Sequence, residues 1–591
     1  MIEPPKFLTL GSLYPAERKL LRCAREGEWC WVATKRPDAK DRDGRRNVVR
    51  AALIRFLAMG GNGAHPIHSQ GVMLSGAWID GHLNCDSCHL TRPMWLQNCH
   101  FALAPVFRDA KAKMLSLQGS WVPSLNCQVM TTEGGVYLRK GFEAAGTVDL
   151  VGARIGGQLD CSDGKFLGKD VALEASGLRT EGEVFLSDGF EAAGMVNLRA
   201  AQIGGQLACV GGKFLGKDVA LHADGLSTEG EVFLSKGFEA AGTVDLLGAR
   251  IGGQLACSGG KFFGTDVALR IDQAKISGLI YLRDVTADGG LLNLVDAETA
   301  GIVDEAEGET PGAGSWQRFG AIRLDGFTYS RIYGPTDAKT RAAWLDLQRP
   351  EDKGAGFKPQ PYEQLTKVLR EMGHTEDARQ IAITKQQKER RAALLQGRKR
   401  SKEAREARRV ARDPETIESD RSTGGKIAAD LDRVGRHFRW GLHRLFGLTV
   451  GYGYRPLYAL YWLAGFVGVG AWVFAGAYAA EAMTPNDPFT LRSAEWTGCA
   501  GDPRGQVSCF LESTVEEGGR LDYPAFSAFW YALDTFVPFV NLHQEPRWIP
   551  DPARGGWGWW ARLYLYAHIA IGWAITAVFA ASVTGIVKKD V

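Results

Sequence analysis

The chain has no apolar run at its N-terminus: MIEPPKFLTLGSLYPAERKLL lacks the pattern of a secretory signal. Everything ahead of the first long apolar stretch is therefore expected to begin and stay in the cytosol. The strings that announce a cofactor or a catalytic nucleophile are missing as well. There is no G-x-G-x-x-G after a strand-like run and no G-x-x-x-x-G-K-[ST], since Gly424-Gly425-Lys426 is followed by Ile427. A nucleophile elbow and an H-E-x-x-H helix are also lacking. These absences argue against an enzyme, and no cofactor is expected. Lysine is absent from Glu481–Gly558, where eleven Asp and Glu stand against five Arg. By contrast, Lys385–Arg412 holds twelve Lys and Arg against three Glu, without the interleaved aromatics of a nucleic-acid surface. Nucleic acid is therefore not an expected partner.

Glycine, at 73 of 591 residues, exceeds the usual share of about 7 % and points to turns at regular intervals. The heptapeptide IGGQLDC at Ile155–Cys161 returns as IGGQLAC at Ile203–Cys209 and again at Ile251–Cys257, the two intervals being equal. GFEAAG recurs on the same period, at Gly141, Gly189 and Gly237. A weaker half-repeat divides each unit in two: VDL at Val148, VAL at Val171, VNL at Val196 and VAL at Val219. Short apolar-alternating runs between Gly, Asp and Lys turns suit one coil of a parallel β-helix, whereas Gly-Gly pairs disfavour a helical repeat. VMLSGAWIDGHLNC at Val72 mimics VDLVGARIGGQLDC, and GLIYLRDV at Gly278 mimics GEVFLSDG, which extends the array in both directions. About ten coils are expected between Val72 and Ile332, capped by helices over Ala16–Glu26 and Val48–Met59 because an exposed coil is an open edge.

Eleven cysteines are present. Cys23, Cys30, Cys85, Cys88, Cys99, Cys127, Cys161, Cys209 and Cys257 precede the first apolar stretch and read as reduced thiols. Cys161, Cys209 and Cys257 share one phase, so they should line one interior column two coils apart, as small apolar core residues. His82, Cys85, Cys88, His89, Cys99 and His100 lie within nineteen residues, and a structural zinc on Cys85, Cys88, Cys99 and His100 is the alternative to coil packing. In the string alignment Cys85 matches Cys161, which favours packing.

Beyond the coils, PYEQLTKVLREMGHTEDARQIAITKQQKERR reads as a helical hairpin broken at Gly373-His374, with Leu365, Val368 and Leu369 facing Ala378, Ile381 and Ile383. The basic run behind it, with Arg398, Lys399 and Arg400, precedes a span and is expected to meet anionic lipid. LDRVGRHFRWGLHRLFGL, carrying Arg436 and Arg439, reads as an interfacial amphipathic helix. Thr449–Gly453 spells TVGYG, but a filter needs an apolar span and a pore helix before it. Here an Arg-rich stretch precedes and the first span follows, so a juxtamembrane turn is expected. Leu457–Ala480 and Leu563–Val587 are long enough to cross a membrane, with Trp557, Trp559 and Trp560 ahead of the second. Basic flanks and an acidic middle place both termini in the cytoplasm and 481–558 outside, where Cys499 and Cys509 are expected to pair. Tyr523–Leu542 is too apolar for a loop and, broken by Pro538, too short for a span. As a pore-loop it would set Asp534, Thr535, Asn541, Gln544 and Glu545 near a mouth, while as an interfacial helix it would merely pack.

The GARIGGQLDCSG-type coils, PYEQLTKVLREMGHTEDAR, GYGYRP and ALDTFVPFVNLHQE together resemble a family of bacterial β-helix-repeat membrane proteins often labelled membrane-associated oxidoreductases. That resemblance implies oxidoreductase chemistry, through cysteines or another cofactor, as a rival function. The C-terminus is also distantly similar to two-span pore-loop modules attached to pentapeptide-repeat proteins. The expected fold class is thus mixed: an N-terminal helical cap (1–71), a cytoplasmic right-handed parallel β-helix of about 24 residues per coil (72–332), a helical linker (333–448) and a two-span transmembrane domain with a re-entrant-like segment (449–591). A homo-oligomer in the inner, or cytoplasmic, membrane is expected, with an unknown protein or ligand on the β-helix. The function expected is a pore-loop ion channel, with a tethered scaffold lacking a pore as the further alternative.

Overall fold

The computed structural model describes residues 4–9, 12–38, 45–304, 315–352, 356–410, 458–514 and 523–583. The chain divides into two compact units, Met1–Lys399 and Arg400–Val591.

The first unit is a parallel β-solenoid of about ten turns, each of about 23 residues. Each turn has four faces, which in the middle turns contribute strands of two to four residues each. In one such turn these are Arg154–Ile155, Leu159–Asp160, Lys165–Phe166 and Val171–Glu174. In the last turns the first two faces join in strands of six or seven residues, Lys275–Tyr281, Glu298–Val303 and Thr328–Tyr333. Every strand pairs in parallel with its equivalents one turn before and after, as Arg154 with Thr131 and Arg179 and Leu159 with Val136 and Val184. Alternation sends Ile155, Leu159, Phe166 and Leu173 inward, all buried, while Arg154 and Lys165 face solvent. Phe142, Phe166, Phe190, Phe214, Phe238 and Phe262 form a continuous interior stack with ring centroids 5.1–5.5 Å apart, the tilted spacing that aromatic quadrupoles favour.

The register confirms the cysteine column and completes it: Leu138, Cys161, Leu186, Cys209, Leu234, Cys257 and Leu282 succeed one another inside the second face. Cys85 does not belong to that column. Asn84 bridges Val106 and Val106 bridges Asn126, so Cys85 stands above Phe107 and Cys127 on the fourth face. The string at Val72 is displaced by two faces, because Val72–Ser75 pairs with Met94–Gln97 on the second face. The match of Gly278 to the GEVFLS strings holds, since Leu255 pairs with Ile280 and Val232 with Leu255.

Both ends are closed by side chains that take up open backbone groups. At the N-terminal end α1 (Pro15–Glu26) and α2 (Ala51–Ala58) pack on the first turn. Val48–Arg50, expected as helix, is instead a strand paired with Trp78–Asp80, and Cys30–Trp31 pairs with Leu74–Ser75. The solenoid sheets therefore start upstream of Val72. Glu17 is fully buried and receives the Arg50 backbone N–H at 3.0 Å and its Nε at 2.8 Å. At the other end α3 (Ala338–Leu345) brings Arg341 to Asp304, with Nη1 to Oδ2 at 2.5 Å and Nη2 to Oδ1 at 3.1 Å, both residues buried. α4 (Gln360–Glu371) lies along the last strand, where the Gln360 Oε1 accepts from the Gly326 N–H and the Gln364 Nε2 donates to the Tyr329 carbonyl. These contacts satisfy an edge that would otherwise invite strand addition. α5 (Thr375–Val410) turns back after α4, and Leu365, Val368, Leu369, Ala378 and Ile381 share one buried cluster, with Ile383 only half-buried.

Among its described residues the second unit has two helices long and apolar enough to cross a membrane, α6 (Tyr458–Ala479) and α7 (Gly555–Val583). α7 starts eight residues ahead of the expected span, so Trp557, Trp559 and Trp560 are helical; Arg562 inside it donates from Nε to the Pro550 carbonyl at 2.7 Å. Tyr461, Trp472, Tyr566 and Trp573 are 60–76 % exposed on these helices. TVGYG, Arg436 and Arg439 lie outside the described residues.

Candidate functional site

Between α6 and α7 sits a nine-residue helix, Ala528–Phe536, packed against both. It ends at Val537, as the residue before Pro538 is biased out of helical backbone. Tyr531, Ala532, Asp534, Thr535 and Phe536 are buried. Two glycines permit the close approach: a Cβ at Gly572 would lie 1.9 Å from the Phe536 carbonyl oxygen, and one at Gly470 would lie 2.7 Å from the His568 ring and 3.1 Å from Ala532 Cβ. His568 Nε2 lies 3.0 Å from the Ala532 carbonyl, so all three helices meet at one point. Phe474 is fully buried there, with its ring centroid 4.8 Å from that of Tyr531 and 5.8 Å from that of His568.

The loop beyond the short helix is folded around Asp534. Its carboxylate accepts from the backbone N–H groups of Leu542 at 2.7 Å, Gln544 at 2.9 Å and Glu545 at 2.8 Å. Asp534, expected near a mouth in the pore-loop reading, is buried and held by the loop's own backbone amides. A polar group that far inside apolar surroundings is tolerated because three amide donors satisfy it, and Asp534 sets the path of residues 537–545. Thr535 turns its hydroxyl onto the Tyr531 carbonyl at 2.8 Å, back-bonding within its own helix. The Asn541 Oδ1 accepts from the His543 N–H at 3.0 Å, and the Gln544 Oε1 accepts from the Ser527 N–H at 3.1 Å. The Glu545 side chain is exposed. Of the five mouth residues, then, Asn541, Gln544 and Glu545 share the loop, and only Asn541 and Glu545 are exposed.

The rest of the segment between the long helices forms a small folded layer. Met483–Pro485 pairs antiparallel with Trp548–Pro550, Tyr523 Oη donates to the Arg547 carbonyl at 2.6 Å, and Cys499 and Cys509 form a disulfide with Cα atoms 5.7 Å apart.

The zinc candidates are dispersed. Cys99 faces the core and donates to the Gln97 carbonyl at 3.2 Å, while Cys88 receives the Arg55 guanidinium at 3.5 Å. His100 points outward between Trp78 and Trp121, with ring centroids 4.1 and 4.4 Å away, and burial lowers its pKa below 6.5. Among the described residues no three His, Cys, Asp or Glu side chains converge on a metal position. Burial pushes the thiols of Cys85 and Cys99 up to about 12. Arg398, Lys399 and Arg400 are exposed on α5.

The Asp304–Arg341 and Glu17–Arg50 pairs were not singled out by sequence reasoning. Their partners are 37 and 33 residues apart, and no local pattern records them. Comparison with protein-family models, curated proteins and solved structures finds no match to this chain.

Proposed function

We propose that the protein is a membrane-anchored β-solenoid whose C-terminal unit forms an ion-conducting pore-loop module in a homo-oligomer. One observation carries this reading: a half-helix is wedged between two long apolar helices and followed by a loop that a buried carboxylate holds in place. That element order brings backbone and side-chain oxygens to an axis once several copies surround it, and two spans cannot enclose a pore alone. In this reading Asp534 positions the loop, and Glu545, exposed at its end, is the carboxylate that meets the ion.

Sidedness has independent support. The cysteines between the two long helices are joined, whereas the nine in the first unit are free and buried. Disulfides persist in oxidising compartments, so the layer 481–558 faces outward and both termini face the cytoplasm across the inner membrane. Anionic headgroups then have Arg398, Lys399 and Arg400 within reach along the chain. The solenoid serves as the regulatory or interaction domain. Thiol oxidoreductase chemistry loses support, because it needs accessible thiolates and burial holds Cys85 and Cys99 in the thiol form.

The test is cation flux into vesicles holding the full-length protein. Flux is expected, and Glu545→Gln should cut the preference for monovalent cations over anions several-fold. Asp534→Asn should lower total flux instead, as the loop loses its anchor. Tight vesicles with a verified oligomer would contradict the pore and leave a tethered scaffold, and a stoichiometric flavin spectrum would favour the oxidoreductase.

A further inference from the structure

The third face of the solenoid presents two outward columns. One reads Glu143, Lys165, Glu191, Lys213, Glu239, Lys261, each in direct register with the next. The other, two residues further along each strand, reads Ala145, Leu167, Ala193, Leu215, Ala241, Phe263. Its backbone continues the same ladder, from the Leu167 N–H to the Ala144 carbonyl at 2.8 Å up to the Phe263 N–H to the Ala240 carbonyl at 2.8 Å. Sign alternates every coil in the first column, and size alternates every coil in the second. The lysines and Ala145 are exposed, and the other members are half-exposed. Lys261 reaches Glu239 at 3.6 Å, and Glu143 also takes Arg36 at 3.0 Å.

Reversing these six coils end to end lays Glu143 on Lys261, Lys165 on Glu239 and Glu191 on Lys213. The same reversal lays Ala145 on Phe263, Leu167 on Ala241 and Ala193 on Leu215. Charge and size thus become complementary in one operation, whereas a parallel copy in register would set like on like. We propose that this face docks a second copy of the chain, antiparallel, with the two-fold axis between the coils of Glu191 and Lys213. A two-fold interface is self-complementary by construction. The exposed ion pairs contribute mainly selectivity of register, and the large-on-small apolar column supplies the buried contact. The inference stands whether or not the membrane unit conducts.

The experiment uses the full-length protein in detergent and a short bismaleimide. Because the solenoid's own cysteines are buried, a cysteine introduced on this face is the accessible thiol there. Ala193→Cys would lie one coil, ~5 Å, along the axis from its counterpart, and Ala145→Cys five coils, ~24 Å. Ala193→Cys should give mostly cross-linked dimer on a denaturing gel, and Ala145→Cys mostly monomer. In the Ala193→Cys background, Lys165→Glu/Lys213→Glu/Lys261→Glu should abolish the cross-link, as should Glu143→Lys/Glu191→Lys/Glu239→Lys. Co-expressing the all-Glu and all-Lys chains should restore it, which misfolded chains could not do. A monomeric Ala193→Cys, a cross-linked Ala145→Cys, insensitivity to charge reversal, or a mixture that fails to recover would each overturn the proposal.

Discussion

Asp304 and Asp534 are buried carboxylates in different units, and the oxygens of both are taken up by donors supplied from elsewhere in the chain. Asp304 takes two guanidinium nitrogens of Arg341 and the Trp316 indole N–H at 2.8 Å. Removing one member leaves an uncompensated buried charge, so Asp304→Ala should cost the solenoid about 3–5 kcal/mol, whereas an exposed pair such as Lys113–Glu133 should contribute under about 1 kcal/mol. Denaturant unfolding monitored by the tryptophans checks the difference, and equal costs would contradict the clasp. The position of Asp534 in an apolar half-helix was legible in the sequence. Its role was not, because its partners are backbone amides eight to eleven residues ahead, which no side-chain pattern encodes.

Stacking between single coils explains why the repeat spans two coils rather than one. Large sits over small and plus over minus in successive coils: Leu over Cys in the second face, Phe over Ala and Lys over Glu in the third. Two coils are therefore the smallest unit that stacks on itself without conflict. Deleting Gly156–Ile203, one full two-coil repeat, should leave a cooperatively unfolding protein, since Glu143 then meets Lys213 and Ala144 meets Phe214. Deleting Gly156–Thr180, a single coil, sets Glu143 on Glu191 and Leu138 on Leu186, so like charge and large on large meet at the junction. Overpacking of this kind costs about 1–3 kcal/mol, and circular dichroism melting should separate the two deletions. The period was plain in the sequence, but the phase of the N-terminal coils was not. All four faces share one apolar alternation, and Met94, Leu115 and Val136 follow one another at shorter steps than Val184, Leu207 and Val232 do. String likeness therefore slid Cys85 onto the wrong face.

At the scale of the molecule, two units of opposite character share the chain: one buries its apolar side chains inside coils, and the other exposes them along two helices. Composition made that division legible, and the short helix was foreseen because Pro538 fixes its end. The folded layer around Met483–Pro485 and Trp548–Pro550 escaped sequence reasoning, as its strands are three residues long and their partners lie far apart in sequence. A chain that crosses twice must return to the side it left, with the disulfide-bearing layer between the crossings on the other side. The direct measurement is a paired reporter assay, with an enzyme active only in the cytoplasm and one active only outside it, each fused after Val591 and inserted at Gly518. Cytoplasmic activity after Val591 with external activity at Gly518 is the result predicted. Both positions reporting the same side would contradict two crossings and the pore-loop reading built on them.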